Sequence, residues 1–201
     1  MSERVGTSAH TVGSAGCLVC CVASLLADYG VRGGRGAEAP TTNPGPITPA
    51  ELNRWLVEQQ GYVDDCLLEF AAVEPLGVKL SGWLDCWQYP APMGQVASAL
   101  AGKASVLALV DSKPGGPVQD HWVRLLAVGT KDATIMDPWQ PAGQETVSLL
   151  KFYGGAGWDA ARAIFLLATY GRPDVAVRGL NYGVARRRGL VQPGLSLWGG
   201  G

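Results

Sequence analysis

Three residues of this sequence have the types and settings that thiol-based acyl transfer requires: Cys17, His121 and Asp137. A cysteine nucleophile needs a favoured thiolate, a base within hydrogen-bond reach and a group that holds the base. Cys17 follows Gly16 at the start of AGCLVCCVASLLADY, an apolar run that predicts a buried helix over 15–29 closed by Gly30. At such a helix start, unpaired N–H groups and the helix dipole favour a thiolate, and the Cys17 N–H can donate to a developing oxyanion. Cys20 and Cys21 lie about one turn further in, where small core residues are expected.

The sequence holds only two histidines. His10 falls in an N-terminal segment expected to be flexible and has no obvious partner, whereas His121 opens the apolar strand HWVRLLAV beside Trp122, which is placed to shield the site from water. Asp137 follows at the end of the return strand ATIMDPW, just before Pro138. With a two-residue turn at Gly129-Thr130, Asp137 falls opposite Trp122 and its carboxylate beside His121. A turn at Lys131-Asp132 moves the partner several residues along. An acid beside the imidazole fixes its tautomer and stabilises its charged form.

The elements that must position these groups follow from local signals. Thr48, Pro49 and Glu51 make a capped helix start; that helix runs through AELNRWLVEQQ to Gly61, with Trp55 and Leu56 on its packing face. Residues 31–46, rich in Gly, Pro, Arg and Thr, predict a loop, and 62–92 an irregular stretch with Trp83 and Trp87 in turns. A short helix near Gly94–Ala101 leads into ASVLALV, which reads as a central strand. The His121 and Asp137 strands form an antiparallel hairpin, ETVSLLKFY is a strand or short helix, and ARAIFLLATY is the last apolar element. The expected class is α+β, an N-terminal helix packed on an antiparallel sheet over residues 1–170. Residues 171–201 carry five arginines, one aspartate and repeated Gly and Pro. They predict an extended basic arm that either lies along a partner protein or stays disordered.

The 201 residues are 47% hydrophobic and only 16% charged, enough for a buried core and contrary to general disorder. A formal net charge of −1 supplies no global field toward nucleic acid or anionic membrane. No stretch of eighteen apolar residues occurs, so no membrane span is predicted. The N-terminus lacks the basic start and apolar run of a secretory signal, and five cysteines do not make a secreted disulfide framework, so synthesis in a reducing cytosol is expected. Cys17 and Cys20 form a Cys-x-x-Cys to which Cys66, Cys86 and His121 could add ligands. A structural zinc site usually pairs two such motifs on turns; with one, inside an apolar helix, no metal or cofactor is expected. The Gly-rich stretch 32–36 lacks the lysine of a phosphate loop and reads as surface.

Taken in order, GSAGCLVCCVASLLADYG, ITPAELNRWLVEQQGY and HWVRLLAVGTKDATIMDPW resemble three blocks of the C39-like branch of papain-fold cysteine peptidases. In that branch a Gly-Cys begins a helix, a Thr-Pro-x-Glu-Leu helix follows, and a His-Trp-Val strand precedes a returning Asp-Pro. The resemblance covers roughly residues 12–140. It implies a papain-like fold with Cys17 as nucleophile, His121 as base and Asp137 as orienting acid, acting on peptide or peptidoglycan amide bonds. Many papain-fold enzymes carry an oxyanion-hole glutamine six residues before the nucleophile. Here that position is Thr11, and no glutamine precedes Cys17. Hydroxyls of Thr11 or Ser14, or backbone N–H groups of the Gly-Ser-Ala-Gly loop, are the available substitutes; one missing donor typically costs about 10²–10³ in rate. Loop 31–46 and the stretch 83–92 are the expected substrate walls, with Trp87 and Trp122 as wall residues. C39-like and related domains also occur in phage tails and other virion assemblies. The resemblance therefore implies either a virion-mounted hydrolase or a structural adaptor that keeps the fold with little turnover.

Overall fold

The computed structural model describes residues 2–6, 8–33, 45–64 and 66–173, with the side chains of Ser14 and Ala15 outside that description. The chain runs through helices α1 (Val12–Ala15), α2 (Cys17–Asp28) and α3 (Pro49–Glu58), then a two-strand ribbon of β1 (Tyr62–Val63) and β2 (Leu67–Leu68). A 3-10 helix (Phe70–Leu76) leads to β3 (Lys79–Asp85), α4 (Met93–Ala101), β4 (Ser105–Asp111), β5 (Asp120–Val128), β6 (Ala133–Met136) and β7 (Thr146–Ser148). α5 (Leu149–Tyr153), α6 (Ala160–Ala163) and β8 (Ile164–Gly171) are the last elements among the described residues. Six strands form one antiparallel sheet in the order β3-β8-β4-β5-β6-β7. The class is α+β. Among the described residues no helix is long and apolar enough to cross a membrane.

The sheet separates two cores, because side chains alternate along each strand. In β4, buried throughout, Leu107 and Leu109 join the core of α2, α3 and the 3-10 helix, while Val106, Ala108 and Val110 join that of α4, α5 and α6. This is why ASVLALV is a continuous apolar run: both of its faces are covered. Helix α2 is tied to the first face by a polar clamp as well as by packing. Arg124, buried on β5, donates to Asp28 at 2.6 Å, Ser24 at 2.9 Å and Ser105 at 3.3 Å.

Local chemistry sets the helix ends. Thr48 caps α3 through the Glu51 N–H, and the Glu51 carboxylate returns to the Thr48 N–H at 2.8 Å, the reciprocal box its sequence predicts. Gly30, at φ +81°, ends α2 in the left-handed region that glycine tolerates best. Gly16 separates α1 from α2, and a Cβ there would collide with the Val12 carbonyl. That close approach sets the break just ahead of α2, which begins at Cys17. The predicted single helix over 15–29 is thus a short turn of helix followed by α2.

Two expectations need correction. Residues 62–92 are not irregular: they hold β1, β2, the 3-10 helix and β3, which pairs with β8 along its length. Ser81 and Gly82 interrupt the apolar pattern of β3, a bulge follows Leu80, and the strand is only half-buried at the sheet edge, so periodicity conceals it. The N-terminal segment is also ordered where described. Val5 is buried, its N–H bonds to the His10 carbonyl at 2.8 Å, and Asn53 holds the Arg4 carbonyl at 2.7 Å and the Gly6 N–H at 3.1 Å. At the other end Gly171 closes β8 and Arg172 donates to the Tyr29 carbonyl at 3.0 Å. The rest of the expected arm, 174–201, lies outside the described residues, as do 34–44 of loop 31–46, whose flanks meet in an Arg32–Pro46 bridge.

Candidate functional site

His121 and Asp137 meet, by a register different from the expected one. Val128 pairs with Ala133, so the connection has four residues, Gly129–Asp132, and a bulge between Leu125 and Ala127 shifts the ladder. Arg124 then pairs with Met136, the last residue of β6, and Asp137 continues opposite Val123 rather than Trp122. That one-residue difference decides the face. Opposite Trp122, the Asp137 side chain would have pointed away from His121; opposite Val123, it lies on the His121 face as a diagonal neighbour. Without the bulge at Leu126 the alternation would reverse.

The carboxylate of Asp137 is fully buried and takes four donors. Oδ1 accepts from His121 Nε2 at 2.8 Å and the Trp139 N–H at 3.1 Å; Oδ2 accepts from Gln140 Nε2 at 2.8 Å and the Tyr153 hydroxyl at 2.6 Å. Burial alone would raise its pKa. The hydrogen bonds, led by His121, outweigh that and hold it at about 2. An ionised carboxylate only accepts, so Nε2 carries a proton and the tautomer of His121 is fixed.

His121 is fully buried and lies under Trp139, ring centroids 3.9 Å apart, with Tyr153 at 5.3 Å on another side. Burial pushes the imidazole pKa down, but the bond to Asp137 and the interactions with Cys17 and Asp137 raise it above its ordinary value. Nδ1 has no hydrogen-bond partner of regular geometry among the described residues. The ring is therefore anchored on one nitrogen and unpartnered on the other, which is buried beside a thiol.

Cys17 reaches the site from the other face of the sheet. The β5–β6 pairing ends at Arg124–Met136, and the Asp137 N–H carries on the β6–β7 register to the Glu145 carbonyl at 2.8 Å. Trp122 lies beyond that pairing, and two thiols of α2 contact its backbone. The Trp122 N–H donates to Cys17 Sγ at 3.5 Å, and the Cys21 thiol donates to the Trp122 carbonyl at 3.3 Å. Cys17 and Cys21 are one helical turn apart, so one turn of α2 spans one residue of β5. Cys17 is partly exposed and Cys21 fully buried.

Of the other expected site residues, Trp122 and Trp87 are not walls beside the imidazole. Trp122 is not a substrate wall: its indole is 1% exposed and packs on Phe70 and Trp83, because its side chain alternates onto the α2 face. The indole that covers the imidazole is that of Trp139. Trp87 is exposed and stacks on Phe165 at 4.6 Å; it follows the end of β3, the strand three positions from the His121 strand in the sheet. Thr11 sits in an isolated bridge with Arg4 just ahead of α1, and the Ser14 side chain lies outside the described residues. Among the described residues, no group of three or more His, Cys, Asp or Glu side chains is arranged to hold a metal.

Sequence reasoning missed Trp139, Gln140 and Tyr153. The first two had a signal, since an aspartate before Pro-Trp-Gln forms an Asx turn whose carboxylate caps the N–H two residues on. Tyr153 had none, because it arrives on the short α5 by packing. Tyr153→Phe removes one charge-assisted hydrogen bond, so it is expected to destabilise the fold by about 1.5–3 kcal/mol. It is also expected to raise the Asp137 pKa above about 2, which chemical denaturation and carboxyl NMR titration measure.

No family model matches the chain, and no curated protein matches it.

Proposed function

We propose that this protein is a cysteine hydrolase of papain-like, C39-like type that cleaves peptide or peptidoglycan amide bonds through Cys17. The observation that carries the reading is the polarised order of the site: a four-donor carboxylate, an imidazole anchored through Nε2 with its buried Nδ1 unpartnered, and a partly exposed thiol at a helix start. In this reading Cys17 Sγ attacks the scissile carbonyl, and the imidazolium, through Nδ1, gives its proton to the leaving amine. The resulting thioester is hydrolysed by water that Nδ1 deprotonates. Asp137 keeps the ring oriented and stabilises its positive charge. The first-turn N–H groups of α2 supply an oxyanion site in place of the absent glutamine, with Thr11 and Ser14 as the hydroxyls nearest in sequence.

A second reading has one observation in its favour: His121 is fully covered. A structural or adaptor protein, virion-mounted or otherwise, would keep the same cluster as a packing device and bind partners through the basic arm 171–201. Kinetics with an electrophilic thiol probe separates the two. Rapid labelling of Cys17 that falls by about 10²–10⁴ in His121→Ala, with the fold retained by circular dichroism, is the expected result. Labelling at the rate of a free thiol, unchanged in the variant, overturns the hydrolase reading.

A further inference from the structure

The mechanism above uses one cysteine of α2, yet the helix carries three within five residues. Residues i and i+3 of a helix have Cα atoms about 5 Å apart, inside the range that a disulfide spans. Helical Cα–Cβ bonds lean toward the N-terminus, so the Cys20 side chain leans back over the turn that begins at Cys17. The two positions differ in setting. Cys17 is partly exposed at the first helical residue, and Cys20 is buried. Burial, reinforced by the charge of Cys17, pushes the Cys20 thiol up to about 12. Cys21 is also close, but it is fully buried and its thiol is committed to the Trp122 carbonyl.

We propose that Cys17 and Cys20 form a reversible redox pair in which a peroxide is the oxidant and Cys20 is the resolving thiol. The proposal takes from the hydrolase reading only that Cys17 is the attacking sulfur; the pairing itself rests on the i, i+3 placement of the two cysteines in α2. The Cys17 thiolate attacks the peroxide O–O bond, which breaks to release hydroxide (or alkoxide) and leaves a sulfenic acid on Cys17. The Cys20 sulfur then attacks Cys17 Sγ. The S–S bond forms as the S–O bond breaks, and the Cys20 proton leaves with the hydroxyl group as water. A small dithiol returns both cysteines to thiols and is itself oxidised to a disulfide. The pair removes the nucleophile without destroying it, because disulfide formation intercepts the sulfenic acid before it reaches the irreversible sulfinic and sulfonic states.

The test uses the full chain, hydrogen peroxide and dithiothreitol, read by probe labelling of Cys17 and by peptide mass mapping. The expected wild-type result is a Cys17–Cys20 disulfide, loss of Cys17 labelling, and recovery of labelling with dithiothreitol. In Cys20→Ser, peroxide is expected to give sulfinic and sulfonic Cys17 with recovery reduced by at least ~10-fold, while Cys21→Ser behaves as wild type. A wild-type Cys17 that labels rapidly but goes straight to sulfinic acid overturns the redox pair and leaves the hydrolase reading intact. A bridge from Cys17 to Cys21 overturns the assignment of Cys20. A slowly labelling Cys17 that still forms the disulfide sinks the hydrolase reading but not the pair, and a slow thiol with no disulfide sinks both.

Discussion

Asp137→Asn is expected to slow acylation of Cys17 by about 10³–10⁴-fold while leaving the thiol in place. The substitution keeps the size of the side chain and removes what orders the site. Asp137 accepts four hydrogen bonds. An asparagine offers one oxygen acceptor and turns an NH2 group toward donors, so the imidazole loses its fixed tautomer. The pKa of His121 should move as well. Burial already works to lower it, and the bond to Asp137 is the foremost influence that raises it; without the carboxylate the imidazole pKa should fall. NMR titration of the imidazole ring protons checks this independently of rate. In the native protein the raised His121 pKa contributes stability present below about 6.5 and lost as pH rises through the folded value. The depressed Asp137 pKa contributes stability present above the ordinary carboxylate range and lost as pH falls toward about 2. That carboxylate contribution is on the order of 2 kcal/mol, and the asparagine variant should lose the corresponding acid limb of its unfolding profile. An unchanged acylation rate would make the cluster structural only.

Trp122→Ala is expected to be the most destabilising single change, by about 3–5 kcal/mol. The indole is almost wholly buried, with Phe70 at 5.3 Å and Trp83 at 6.3 Å between ring centroids. Truncation leaves a cavity in the core beneath α2 and removes these ring contacts. Urea unfolding should show a lower midpoint, with Trp122→Phe recovering much of the loss. The same pair of variants checks the placement of this side chain. Were Trp122 a wall of the substrate cleft, the alanine variant would alter substrate KM at nearly unchanged stability.

The contrast between these residues shows what the sequence made legible. Thr48, Pro49 and Glu51 specify the start of α3 through contacts within one turn, and the structure forms the predicted capping box. ASVLALV could be read as central because apolarity on both faces is itself the signal. The placements of His121 and Asp137 were legible only in outline. Their faces depend on a one-residue bulge at Leu126, and nothing in HWVRLLAV marks it. The same parity argument assigns Trp122 to the core, although its position next to His121 suggested the cleft. Strand β3 escaped notice because Ser81 and Gly82 sit where an edge strand tolerates weak patterning. Tyr153 and the Cys21–Trp122 bond depend on how α5 and α2 dock, which no local pattern carries.

The backbone of Trp122 has a practical use that follows from its position between two thiols. Its N–H points at Cys17 Sγ, and its carbonyl receives the Cys21 thiol. The proton on that nitrogen is therefore a built-in spectroscopic gauge of the sulfur. Ionised, alkylated, acylated or bridged, the sulfur presents a different acceptor, and the amide resonance of one buried tryptophan should record each state without any label being introduced.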